Sequence, residues 1–78
     1  MDRTKQPKLV ITFPTTTAAM AMEAACQAWQ GRLIPIPREI NGGCGLAWCA
    51  EPQLGDMLLQ VMAENNISYQ EKRIISLY

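Results

Sequence analysis

Pro35 and Pro37 stand two residues apart in the apolar, extended run Arg32-Leu33-Ile34-Pro35-Ile36-Pro37, and no other feature limits the fold so sharply. Proline fixes φ and has no N–H to donate. Residues two apart in a strand turn their backbone nitrogens to the same side, so the two prolines blank one edge of this run. The run can be a strand only at the border of a sheet, with its prolines facing outward against further pairing.

The neighbouring segments supply the rest of such a sheet. Lys8 to Phe13 alternates, with Leu9, Ile11 and Phe13 on one face and Val10 and Thr12 on the other, and Pro14 ends it. Thr15, Thr16 and Thr17 offer an N-cap hydroxyl for a helix expected from about Thr16 to Gln30. Ala18, Ala21, Met22, Ala25 and Trp29 share its apolar stripe, Glu23, Gln27 and Gln30 lie opposite, and Gly31 is placed to stop it. After a loop from Arg38 to Gly43, Cys44 to Cys49 reads as a strand apolar on both faces. Pro52 suits the first turn of a second helix, whose stripe is Leu54, Met57, Leu58, Val61 and Met62. Asn65-Asn66 can stop that helix, and Ile67 to Leu77 gives a last strand whose polar part, Gln70 to Arg73, is expected to bulge or overrun the sheet.

The order strand, helix, strand, strand, helix, strand predicts an α+β, ferredoxin-like split βαβ fold: a four-stranded antiparallel sheet with two helices on one face. That topology puts the second strand at an edge, where the prolines independently place it. The expected division is a polar N-terminal tail over residues 1–7 and a single domain over 8–78. A chain of 78 residues seldom draws more than ~3–5 kcal/mol of net stability from its core, and a 49% hydrophobic content suffices for one.

Composition excludes several functions. Seven basic and seven acidic residues cancel, so the chain lacks the charge footprint of a nucleic-acid or anionic-membrane binder. The polar start has no apolar leader behind it, and no apolar run approaches the ~20 residues that cross a bilayer. Three cysteines, Cys26, Cys44 and Cys49, cannot all pair, which favours reduced thiols and a cytoplasmic location. The absence of histidine removes Cys–His and Ser–His dyads and most zinc sites, so no metal or cofactor is expected. Chemistry open to a thiolate acting almost alone is sulfur transfer or thiol–disulfide exchange.

Cys44 is the candidate for it. It lies in Asn41-Gly42-Gly43-Cys44-Gly45, where missing side chains leave the thiol approachable and the amides of Gly43, Cys44 and Gly45 could form a nest for an anion. Spacing alone favours a plainer reading, a hairpin loop whose glycines serve positive φ around an ordinary small apolar cysteine.

Phe13-Pro14-Thr15, Leu33-Ile34-Pro35-Ile36-Pro37-Arg38-Glu39-Ile40 and Cys44-Gly45-Leu46-Ala47 together resemble the small selenium/sulfur carrier proteins of bacteria, over roughly Lys8 to Tyr69. The family pattern is a Phe-Pro-Ser/Thr step, an "IPxPREI" segment and "CGLA", in that order. The resemblance implies that Cys44 is the carrier thiol, holding sulfur as a persulfide or selenium as its analogue, with Arg38 and Glu39 on the same functional edge. It implies a carrier rather than a stand-alone enzyme, loaded by a cysteine desulfurase-like donor and unloaded by a sulfur- or selenium-accepting enzyme. The chain departs from the pattern at Asn41-Gly42-Gly43, where the family has serines, and at Trp48-Cys49, where it has an aliphatic and then a basic residue.

The remaining residues have plain readings beside the functional ones. Cys26 is a packed residue on a helix, and Cys49 a core or helix-facing one. Arg38 and Glu39 are either a pair that orients the loop or solvated charges. Trp29 and Trp48 are packing residues, with Trp48 alternatively covering one sheet face at a homodimer contact. The rival function is a non-catalytic interaction or ligand-binding regulatory module that uses the open sheet face, an analogy of fold alone.

Overall fold

The structure, a computed structural model, describes residues 5–40 and 42–77; most of the expected N-terminal tail, Asn41 of the glycine loop and Tyr78 lie outside them. The elements follow the expected order: β1 (Gln6–Thr12), α1 (Thr16–Ala25), β2 (Arg32–Pro35), β3 (Leu46–Ala50), α2 (Gly55–Glu64) and β4 (Glu71–Leu77). They form one antiparallel sheet in the order β2-β3-β1-β4 with β2 at an edge, the ferredoxin-like split βαβ arrangement.

The prolines act as the sequence requires. The Ile36 N–H donates to the Gly45 carbonyl at 3.0 Å, which turns residue 36 toward β3 and, by alternation, the imide nitrogen of Pro35 outward. The strand ends there rather than at Pro37, whose carbonyl instead accepts the Ile40 N–H in a turn.

The two sheet faces are filled differently. Leu9, Ile11, Phe13, Trp48 and Ala50 face the helices and pack with Ala19 and Met22 of α1 and Leu58 and Met62 of α2. The opposite face is not open. Val10, Ala47 and Ile75 lie on it beneath Ile40, with Ile34, Ile36 and Leu77 at the margins. The segment from Ile36 to Ile40 folds back as an arm across that face, and Arg73 fixes it by donating from Nη1 to the Glu39 carbonyl at 2.9 Å.

Helix α1 is shorter than its periodicity predicts. It starts on the Thr15 side chain, which accepts from the Ala18 N–H, and stops at Ala25, with a single 3-10 turn following at Ala28–Gln30. Trp48 explains the change. Its ring is buried, and its Nε1–H donates to the Gln30 carbonyl at 3.1 Å, which a continued helix would present elsewhere. Gln30 is therefore buried, against expectation, with its Oε1 accepting from the Gln27 N–H and its Nε2 beside the Met57 sulfur. Trp29 correspondingly leaves the apolar stripe and stands 63% exposed. The buried position of Trp48 on the helix side also removes it from any dimer contact.

Gly31 has φ +132°, and a Cβ there would lie 2.5 Å from Trp48 Nε1 and 2.6 Å from the Cys49 carbonyl. Glycine is required for both reasons. Asn66, at φ +54°, ends α2 in the left-handed conformation expected of it. The polar residues before Ile74 do not overrun the sheet, because Glu71, Lys72 and Arg73 pair with Thr12, Ile11 and Val10. Gln70 also donates its N–H to the Thr12 carbonyl at 2.7 Å, so two successive residues face Thr12, as in a bulge.

Candidate functional site

Cys44 lies not in β3 but in the turn before it, at the end of the sheet where β1 leads into α1. Gly42, Gly43 and Gly45 have φ of +89°, +80° and +93°, a region closed to most side chains. Two backbone hydrogen bonds hold the turn: the Cys44 N–H donates to the Phe13 carbonyl at 3.1 Å, and the Gly45 carbonyl accepts from the Ile36 N–H. The thiol is half-buried, packs against the helix-side core, and reaches the Leu46 carbonyl in a weak S–H···O contact at 3.8 Å. Beside it, the direction a Cβ would take at Gly45 is open, with nothing within 4 Å.

This geometry revises the expected nest. The Cys44 amide is committed to Phe13, so only the Gly43 and Gly45 amides, which make no backbone hydrogen bond among the described residues, remain for an anion. Sequence reasoning missed a neighbour. Gln70 lays its side-chain amide over the turn, with Nε2 3.3 Å from where a Gly42 Cβ would stand and Oε1 3.6 Å from that of Gly43. Nothing in the local pattern signals this, because the contact crosses from the start of β4 to the β2–β3 loop.

The other residues of interest are distributed. Arg38 and Glu39 are exposed on the arm over the face away from the helices, whereas Cys44 packs on the helix side. They do not pair with each other, since the ion pairs among the described residues are Lys8–Glu51 and Glu71–Arg73. Cys49 is not helix-facing. It pairs in register with Val10 and Arg32 on the opposite face, because Trp48 occupies the helix side. There it lines a surface cavity of about 270 Å³ with Lys8, Trp29 and Arg32. Burial pushes its thiol pKa up; Arg32 and Lys8 pull it back down, and Glu51 adds a further upward push. Burial likewise raises Cys26, whose thiol lies 4.0 Å from the Met22 sulfur. No cluster of three or more Cys, Asp or Glu that could hold a metal ion occurs among the described residues.

Residues 8–72, which take in both helices, β2, β3, most of β1, the start of β4 and the Cys44 turn, match the family described as "Putative Se/S carrier protein-like". The chain belongs to that family. No curated protein and no solved structure matches it. In this Se/S carrier-like chain, three of the motif segments meet at one end of the sheet. The Phe13 carbonyl receives the Cys44 amide, Thr15 caps α1, and Ile36 closes the turn at Gly45. No helix among the described residues is long and apolar enough to cross a membrane.

Proposed function

We propose that this protein is a cytoplasmic carrier that accepts sulfur or selenium on Cys44 from one enzyme and delivers it to another, with residues 8–78 acting as one unit. The observation that supports it most is the mounting of Cys44. The backbone of its turn is pinned by two hydrogen bonds to distant segments, while a Cβ at Gly45 would meet nothing within 4 Å beyond its chain neighbours. A carrier thiol needs both properties, because two active sites must in turn close around the same sulfur.

In loading, the Cys44 thiolate attacks the terminal sulfur of a donor enzyme's persulfide. The Cys44 Sγ–S bond forms, the donor S–S bond breaks, and the donor cysteine leaves as a thiolate, so no outside oxidant or reductant is consumed. Selenium follows the same path from a donor that holds it as the selenium analogue. Unloading is the same displacement, with an acceptor nucleophile attacking the carried atom. In this reading the Gly43 and Gly45 amides donate hydrogen bonds to charge on that atom, while Arg38 and Glu39, on the arm over the other face, take no direct part in the transfer.

Incubation with a cysteine desulfurase and cysteine, followed by intact-mass measurement under non-reducing conditions, tests the proposal. The expected product carries the added mass of one sulfur on the wild-type chain and none on Cys44→Ser. An unmodified wild type, or an equal adduct on Cys44→Ser, refutes it.

A further inference from the structure

The two borders of the sheet are built differently. Pro35 closes the outer edge of β2, whereas β4, the other border strand, contains no proline and pairs only with β1 among the described residues. Backbone alternation carries across the sheet from the Ile36–Gly45 bond. Residues 47 and 49 turn toward β2, Trp48 and Ala50 toward β1, and Lys8, Val10 and Thr12 of β1 toward β4. Pro7, opposite Ser76, fits this alternation, since position 7 then owes β4 no donor. Lys72, Ile74 and Ser76 are consequently the β4 residues whose N–H and C=O groups point out of the sheet.

We infer that β4 is a self-association edge, pairing antiparallel with β4 of a second copy to join two sheets into one of eight strands. The choice of partner rests on register. Directly opposed residues in an antiparallel pair point to the same face, so a two-fold axis must pass through a residue. An axis at Lys72 sets lysine against lysine, and one at Arg73 sets arginine against arginine. An axis at Ile75 leaves part of the strand unpaired.

Only an axis at Ile74 opposes all seven residues, Glu71 to Leu77, with their counterparts. It sets Ile74 against its own copy, Arg73 against Ile75, and Lys72 against Ser76, with no like charges opposed. Ile74 is 57% exposed, the most exposed aliphatic side chain among the large apolar residues of the surface. It also borders a surface cavity of about 410 Å³ whose lining mixes Leu9 and Pro52 with Gln53, Asp56, Lys72 and Arg73. The Cys44 turn leads into β3, which β1 separates from this edge strand.

An edge of seven residues falls short of a standard interface, so the dimer should form in the micromolar range or weaker. Sedimentation equilibrium of the full chain from about 10 μM to about 1 mM brackets that range, with reducing agent present to exclude disulfide dimers. The expected result is a rise from the 8.7 kDa chain mass toward twice that value. Ile74→Lys, which opposes two charges on the axis, should raise the dissociation constant at least about tenfold while leaving the circular dichroism unchanged. Ser76→Pro, which removes an outward N–H, should also weaken the dimer. In the wild type, hydrogen exchange at the Lys72, Ile74 and Ser76 amides should slow as concentration rises. A wild type that stays monomeric at the top concentration overturns the inference. So does a dimer that persists unchanged in both variants, or exchange protection that appears on β2 instead.

Discussion

Alanine at Gly45 and at Gly43 separates two things that glycine does beside Cys44. At Gly45 there is open space around the direction of a Cβ, but φ is +93°, beyond the left-handed well that L-residues can occupy. Gly45→Ala therefore costs backbone strain alone, about 1–2 kcal/mol. At Gly43, φ is +80° and the strain is similar, but a Cβ would also lie 3.3 Å from the Phe13 carbonyl oxygen and 3.4 Å from Ile36 Cδ1. The Ile36 methyl can yield. The carbonyl cannot move freely, because it is the acceptor of the Cys44 amide. Overpacking against that fixed group adds about 1 kcal/mol or more, so Gly43→Ala should cost about 2–3 kcal/mol in all.

In a domain with only ~3–5 kcal/mol to lose, Gly43→Ala comes close to unfolding the chain. Urea unfolding followed by the fluorescence of buried Trp48 measures both variants, and thermal unfolding should show a fall of about 4–8 °C for each kcal/mol. The chain is short enough for chemical synthesis, which adds a control: D-alanine at position 45 prefers positive φ and so carries none of this strain. It should be neutral, or stabilising by about 0.4–1 kcal/mol through the unfolded state. The reasoning is refuted if D-alanine at position 45 is as damaging as L-alanine. It is also refuted if Gly45→Ala costs more than Gly43→Ala.

Trp48→Phe removes the indole N–H from the buried Gln30 carbonyl and leaves a void, and should destabilise by about 2–3 kcal/mol in urea titration. Cys26 and Cys49 have thiol pKa values raised by burial, so the folded chain keeps their protons at a pH where the unfolded chain has released them. Stability should be fully present below the ordinary thiol pKa, about 8.5, and decline as pH rises above it. Urea midpoints measured between neutral and alkaline pH should show that decline in the wild type and a shallower one in a Cys26→Ala, Cys49→Ala double variant. Glu51→Gln breaks a solvent-exposed pair with Lys8 and should change stability by less than about 1 kcal/mol, yet it removes a charge that raises Cys49, so Cys49 alkylation should quicken.

The fold was legible because its signals are local and agree with each other. Alternation marked β1, the prolines assigned β2 to an edge, and the apolar spacing at Leu58 and Met62 fixed the buried face of α2. The errors share a different cause. Gln30 read as solvent-facing and Trp29 as buried because helical period was extended past Ala25, where the Trp48 indole claims the Gln30 carbonyl. Cys49 read as core or helix-facing because β3 is apolar on both faces, so alternation alone does not tell which face the helices cover; they cover the Trp48 side. Ile36 and Pro37 read as part of the edge strand, and Arg38 to Gly43 as a loop. Only a tertiary contact, Arg73 to the Glu39 carbonyl, lays the arm from Ile36 to Ile40 over the second face. Each miss is a pairing of residues far apart in the chain, which periodicity does not encode.

The same distinction bears on how a half-buried thiol can serve as a carrier. A fully exposed Cys44 would place sulfur within reach but in no fixed position, since nothing would oppose rotation of its side chain. In the fold, Sγ packs against the helix-side core while the backbone is tied to Phe13, so the thiol has a defined base. Under the proposed function the carried atom would be not Sγ but the next one out, about 2 Å further along an S–S bond. Anchoring the first sulfur and presenting the second satisfies both demands with one residue.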